Sequence, residues 1–81
     1  MTITVKLFGP QAQLAGVREV RVEVGDGATG ARVLAALGRT APALRPSLDG
    51  SRLAVDHEYV GDEQVIRAGQ EVALIGMVSG G

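Results

Sequence analysis

The sequence predicts an α+β domain in which one mixed sheet packs on one main helix. Three observations carry that reading. Two segments near the N-terminus, Thr2 to Leu7 and Arg18 to Val24, alternate polar and apolar residues with the period of half-buried strands. A third segment, from Gly30 to about Leu37, repeats its apolar residues at helical spacing. The last apolar run, Val72 to Ile75, is apolar on both faces, the pattern of a strand in the middle of a sheet. Strands grouped at the two ends of the chain, with the helix between them, make an α+β arrangement.

Each element has its own signals. In the first strand Ile3, Val5 and Leu7 share a face, and Phe8-Gly9-Pro10 breaks the pattern. Pro10 suits the first turn of a short helix over 11–15, and Gly16 suits its stop. Val20, Val22 and Val24 point inward from the second strand. The connection between the two strands is too short for a parallel crossover, so they are expected to be antiparallel neighbours. Gly25-Asp26-Gly27 is a turn, and Thr29 is placed to cap the main helix. On that helix Val33, Leu34 and Leu37 form the apolar face, and Gly38 is expected to end it. Residues 41–46 read as a loop or short helical turn, with Leu44 and Leu48 covering the sheet edge. Arg52 to Val55 and Glu58 to Val60 form a tight hairpin, since Asp56 is one of the residues that tolerates positive φ. Gln64-Val65-Ile66 is a short apolar stretch before the turn at 68–70. A last strand placed centrally beside the first matches the β-grasp, or ubiquitin-like, architecture.

Composition narrows the function. An 81-residue chain is one small domain, and with no cysteine it has neither disulfides nor thiolate metal sites. The apolar fraction is 46%, but with one Phe, one Tyr and no Trp the core must be aliphatic. A net charge of −1 with interspersed signs gives no footprint for nucleic acid or an anionic membrane. The chain opens directly into strand residues, and its apolar runs fall short of the roughly 20 residues of a membrane span. The expectation is a soluble cytoplasmic protein with no signal peptide.

Residues 1–75 are therefore expected to form the folded domain, and 76–81 a flexible tail ending in Gly80-Gly81. From Ile75 such a tail reaches roughly 20 Å when extended. Glycines lack Cβ atoms, so Gly80 and Gly81 suit passage through a narrow channel in another protein.

The segments Val5-Lys6-Leu7-Phe8-Gly9, Val55 to Val60, Ala68 to Ile75 and Val78-Ser79-Gly80-Gly81 together resemble the MoaD/ThiS family. These are sulfur carriers, among them the small subunit of molybdopterin synthase, and the resemblance spans essentially the whole chain. It implies a carrier rather than a self-sufficient enzyme. An E1-like (MoeB-like) enzyme adenylates the terminal glycine with ATP, and a sulfur donor converts it to a thiocarboxylate. The tail then enters the large (MoaE-like) subunit, which moves sulfur onto a pterin precursor. By this resemblance Gly81 is the attachment site, and Gly80, Ser79, Val78 and Met77 line the partner's channel. Phe8, Tyr59 and Ile75 match partner-docking positions, and two small subunits would flank a large-subunit dimer. The chemistry fits: an ionised carboxylate is a poor electrophile until adenylation supplies a leaving group, and a thiocarboxylate is a sulfur nucleophile needing no cysteine.

The chain departs from the family pattern at three places. Gly76-Met77 stands where two prolines are usual, Asp56 where Asn is usual, and Gln70 where Asp is usual. The first makes the tail costlier to order on docking. Other readings stay open: a carrier for thiamine, tRNA thiolation, a tungsten pterin or cysteine synthesis, a protein modifier joined through Gly81, or an interaction module with an inert terminus.

Several residues carry only a bland reading. His57 is a solvated turn residue with no second zinc-type ligand, so no metal site is expected. Glu58, Asp62 and Glu63 read as solvated acidic surface, and Ser79 has no base beside it in sequence. No Gly-x-x-x-x-Gly-Lys loop occurs, so this chain is expected to bind no cofactor and ATP belongs to the activating enzyme.

Overall fold

The alternating segments become strands, and the helical spacing becomes a helix lying across them. The structure is a computed structural model and describes residues 1–76. Strand β1 (Thr2–Lys6) pairs antiparallel with β2 (Glu19–Glu23), matching Ile3 to Val22 and Val5 to Val20 on the inner face. Between them lies the short helix α1 (Gly9–Ala15), which starts two residues earlier than expected because Phe8 is already extended at its N-cap. Gly16 closes α1 at φ 74°, its N–H donating to the Ala12 carbonyl at 2.9 Å.

Helix α2 (Gly30–Thr40) buries Val33, Ala36 and Leu37. One expectation about its ends is met in position and one is corrected. Thr29 occupies the N-cap position but its hydroxyl makes no capping bond. The first free donors of the helix go instead to a later segment: Gly30 N–H to the Gln64 carbonyl and Ala31 N–H to that of Asp62. At the other end Gly38 does not stop the helix, which runs to Thr40. Gly38 is buried, and a methyl group there would lie 3.1 Å from Cδ1 of Leu48. It is a packing glycine, and the proline at position 42 ends the helix.

A 3-10 turn (Pro42–Leu44) and a one-turn helix α3 (Arg45–Leu48) follow. Leu44 is fully buried in the main core rather than lying over a sheet edge, and Leu48 packs against that core. Strands β3 (Ser51–Val55) and β4 (Glu58–Val60) form the hairpin, with Asp56 and His57 both at positive φ (50° and 71°), as a two-residue turn of this kind requires. The 64–66 stretch joins the core through Ile66, whose side chain is fully buried.

Strand β5 (Val72–Gly76) completes the sheet in the order β2-β1-β5-β3-β4, parallel to β1 and antiparallel to β3. This is the β-grasp. The strand reaches Gly76, opposite Ser51, one residue beyond the expected 72–75. Its double-sided apolarity has a different cause from the one inferred. Val72 and Leu74 are buried in the same apolar core as Val33 and Leu37 of α2, but Ala73 and Ile75 on the other face are only half-buried, and among the described residues no second layer covers them. Among the described residues, no helix is long and apolar enough to cross a membrane.

Candidate functional site: the open sheet face and the root of the tail

Strand alternation decides what the open face presents. Register puts Lys6 beside Ala73, Ala73 beside Ala54, and Ala54 beside Tyr59, one row across four strands. Two residues beyond Lys6 comes Phe8, on the same face, and two beyond Ala73 comes Ile75. The two alanines are small, so the row dips between larger neighbours into a depression of about 330 Å³. Phe8 and Tyr59 are its most exposed apolar walls, at 55% and 57% of their surface, and Ile75 is half-buried beside them. The structure thus brings together the three residues expected to dock a partner.

One end of the depression is charged. Lys6 Nζ donates to Glu71 Oε1 at 2.8 Å, and His57 Nε2 lies 3.1 Å from Glu71 Oε2. Two backbone-anchored bonds fix Glu71: its N–H donates to Asp56 Oδ1 at 3.0 Å, and its carbonyl accepts from Asp56 N–H at 2.8 Å. The hydrogen bond from Lys6, then its charge, holds the Glu71 carboxyl below the usual carboxylate range. The same bond, then the Glu71 charge, raises the Lys6 ammonium above its ordinary value. The pair is solvent-exposed, so its geometry orients groups at the rim more than it stabilises the fold.

Phe8 and Ile75 also border a second groove of about 510 Å³, where β5 ends. Its other walls include Pro10, Gln11, Ser51 and Gly76. Gly76 is the last described residue. Met77, Val78, Ser79, Gly80 and Gly81 lie outside the described residues.

Sequence reasoning missed Lys6, Glu71, Gln11 and Ser51. Nothing local marks them, since Lys6 and Glu71 stand 65 positions apart and Gln11 and Ser51 stand 40 apart. The alternation of Lys6 with Val5 and Leu7 was the one available hint that it faces outward. His57 is exposed as expected, though it turns to Glu71; Glu58, Asp62 and Glu63 are all exposed.

Comparisons with known proteins identify the family. The ThiS family model matches residues 5–81, through the last glycine. The chain belongs to the ThiS family. Over its full length this ThiS-family chain is 37% identical to the molybdopterin synthase sulfur carrier subunit of Chlamydomonas reinhardtii, whose full length is also covered. It superimposes on SAMP1, a small archaeal modifier protein from Haloferax volcanii, with a TM-score of 0.87 at 34% identity, each chain covered completely. A putative molybdopterin converting factor, subunit 1, from Pyrococcus furiosus gives a TM-score of 0.82 at 24% identity, covering 95% of this chain and 98% of that one. That last likeness bears on the fold alone. The relatives of the ThiS-family chain thus carry two kinds of name, sulfur carrier and modifier, on one architecture.

Proposed function

We propose that this chain is a sulfur carrier for molybdopterin synthesis, acting as the small subunit of a molybdopterin synthase. The observation that supports it most is the full-length match to a sulfur carrier subunit, combined with a family match that runs to Gly81. In this reading the Gly81 carboxylate attacks the α-phosphorus of ATP in the active site of an E1-like enzyme, and pyrophosphate leaves. Sulfide released by a sulfur donor then attacks the acyl carbon, and AMP leaves to give a terminal thiocarboxylate. The chain itself holds neither ATP nor a metal in this scheme.

The geometry supports a division of labour. Phe8, Tyr59 and Ile75 supply apolar area for both the activating enzyme and the large subunit, since residues of this kind at the centre of a patch carry most of a binding energy. Lys6 and Glu71 at the rim orient the encounter, because exposed charges act more on rate and register than on affinity. Val78, Ser79 and Gly80 follow the chain into the partner, and Gly81 delivers the sulfur. Adding one residue after Gly81 is expected to leave folding intact and abolish sulfur delivery to the large subunit. Delivery equal to that of the unextended chain would sink the reading.

A second reading is favoured by one observation, the complete superposition on SAMP1 at 34% identity. There Gly81 would be joined to lysines of target proteins. That reading expects higher-mass conjugates of this chain in cells, dependent on Gly81; their absence, with thiocarboxylate present, would leave the carrier role alone.

A further inference from the structure

Of the eight Lys and Arg residues in the chain, one is a lysine, Lys6. The others are arginines, whose guanidinium stays charged and keeps no lone pair free for attack. Lys6 therefore supplies the one side-chain amine that can take an acyl group. It stands on the open face, in the row of Ala73, Ala54 and Tyr59, and 47% of its side chain is exposed. Bulk does not shield it. A single carboxylate does.

Lys6 Nζ donates to Glu71 Oε1 at 2.8 Å. Glu71 is held for that bond from two directions. Its backbone is tied at both ends to Asp56, N–H to Oδ1 at 3.0 Å and carbonyl from the Asp56 N–H at 2.8 Å. Its second oxygen, Oε2, is met by His57 Nε2 at 3.1 Å, which leaves Oε1 to the ammonium. Asp56 and His57 are the two positive-φ residues of the β3–β4 turn, so hairpin and β5 fix the carboxylate together. His57 takes the second place of this turn, where glycine is the favoured residue, and its side chain is turned to Glu71.

An amine attacks a carbonyl carbon as the free base, because the ammonium has no lone pair. A carboxylate at hydrogen-bond distance favours the charged form. The Lys6 ammonium is accordingly held above its ordinary value by the bond to Glu71, then by the Glu71 charge, with Glu19 adding to both.

We propose that Glu71 guards Lys6, and that the ion pair keeps one copy of this chain from being acylated by the activated terminus of another. The role in self-protection rests on the carrier or modifier reading, in which Gly81 becomes an acyl adenylate. A free Lys6 amine attacking that acyl carbon would form a C–N bond. The C–O bond to AMP would break, AMP would leave with its electron pair, and the amine proton would pass to water. The product is a dimer whose acceptor copy is blocked on its open face.

Two measurements test this, and only the second rests on that reading. In the first, the wild type and Glu71→Gln are treated with the N-hydroxysulfosuccinimide ester of acetic acid. Acetylation of Lys6 is followed by peptide mass spectrometry, with the Met1 α-amino group as internal reference. Glu71→Gln keeps the two bonds to Asp56, since the Glu71 backbone makes them. Lys6 is expected to react roughly two- to fivefold faster in this variant, the range that the free energy of an exposed ion pair sets. In the second, each chain is given ATP and its E1-like enzyme with no sulfur donor. Pyrophosphate release counts activations, and intact mass counts dimers of two chains less one water. Per activation, Glu71→Gln is expected to form more dimer than the wild type, joined at Lys6, and adding Lys6→Arg to abolish it.

An equal or slower acetylation of Lys6 in Glu71→Gln would overturn the proposal. So would a dimer yield per activation no greater than that of the wild type, or a dimer that survives Lys6→Arg. Should either chain resist activation, the acetylation rates decide the role of Glu71; resistance of the wild type also removes the carrier and modifier readings.

Discussion

Phe8 and Tyr59 each leave more than half their surface in solvent, so neither contributes much to the core. Truncating either to Ala is expected to leave the unfolding midpoint nearly unchanged while weakening binding to the large subunit by about 2 kcal/mol, the scale of a central interface residue. Titration calorimetry beside a urea melt separates the two effects; a large loss of stability with unchanged binding would contradict the assignment. Glu71 carries the pH dependence of the same face. Its folded pKa is depressed by Lys6, so its contribution is present above the usual carboxylate range and is lost as pH falls through the depressed value. Lys6 is raised, so its share is present at neutral pH and disappears only as strong alkali passes the raised value. Partner association is therefore expected to stay flat from pH 6 to pH 8 as far as this pair is concerned, and Glu71→Gln to return the Lys6 ammonium toward its ordinary pKa by NMR titration.

At the scale of elements, β5 joins the core to the site. Its inner residues hold the sheet on α2: Leu74 is fully buried, and Leu74→Ala is expected to cost roughly 2–5 kcal/mol in chemical unfolding. Its outer residues, Ala73 and Ile75, floor the open face proposed for docking, and its last residue, Gly76, is the last described. Gly76 lies outside the positive-φ region and has room for a methyl group at ordinary contact distance. Gly76→Ala is thus expected to raise stability by about 0.4–1 kcal/mol through a less flexible unfolded chain. A drop in melting temperature would show that the space beside Gln11 is tighter than these distances indicate.

Strands were the most legible elements, because period-two alternation in Thr2–Lys6 and Glu19–Glu23 has no competing reading. The hairpin was legible through Asp56. Gly38 misled because a glycine within a helix and one past its end look alike in sequence, and only the approach of Leu48 tells them apart. Strand β5 was placed centrally for a reason that proved half right, since apolar residues on both faces also describe a strand with an open patch. The Gln11–Ser51 contact was illegible, because one polar residue in a short helix carries no periodic signal.

For the molecule as a whole, these parts make a sheet with one covered face and one open face, the last described residue lying at the end of its central strand. In the proposed function that division would let one surface serve an activating enzyme and an acceptor in turn, while the covered face supplies stability. The central claim is that the terminus carries sulfur. It is tested most directly by incubating the protein with ATP, a sulfur donor and its E1-like enzyme, and measuring intact mass. The expected result is a gain equal to one oxygen replaced by sulfur, mapped to Gly81 and absent when ATP is omitted. An unchanged mass, from an enzyme shown to activate another carrier, would contradict it.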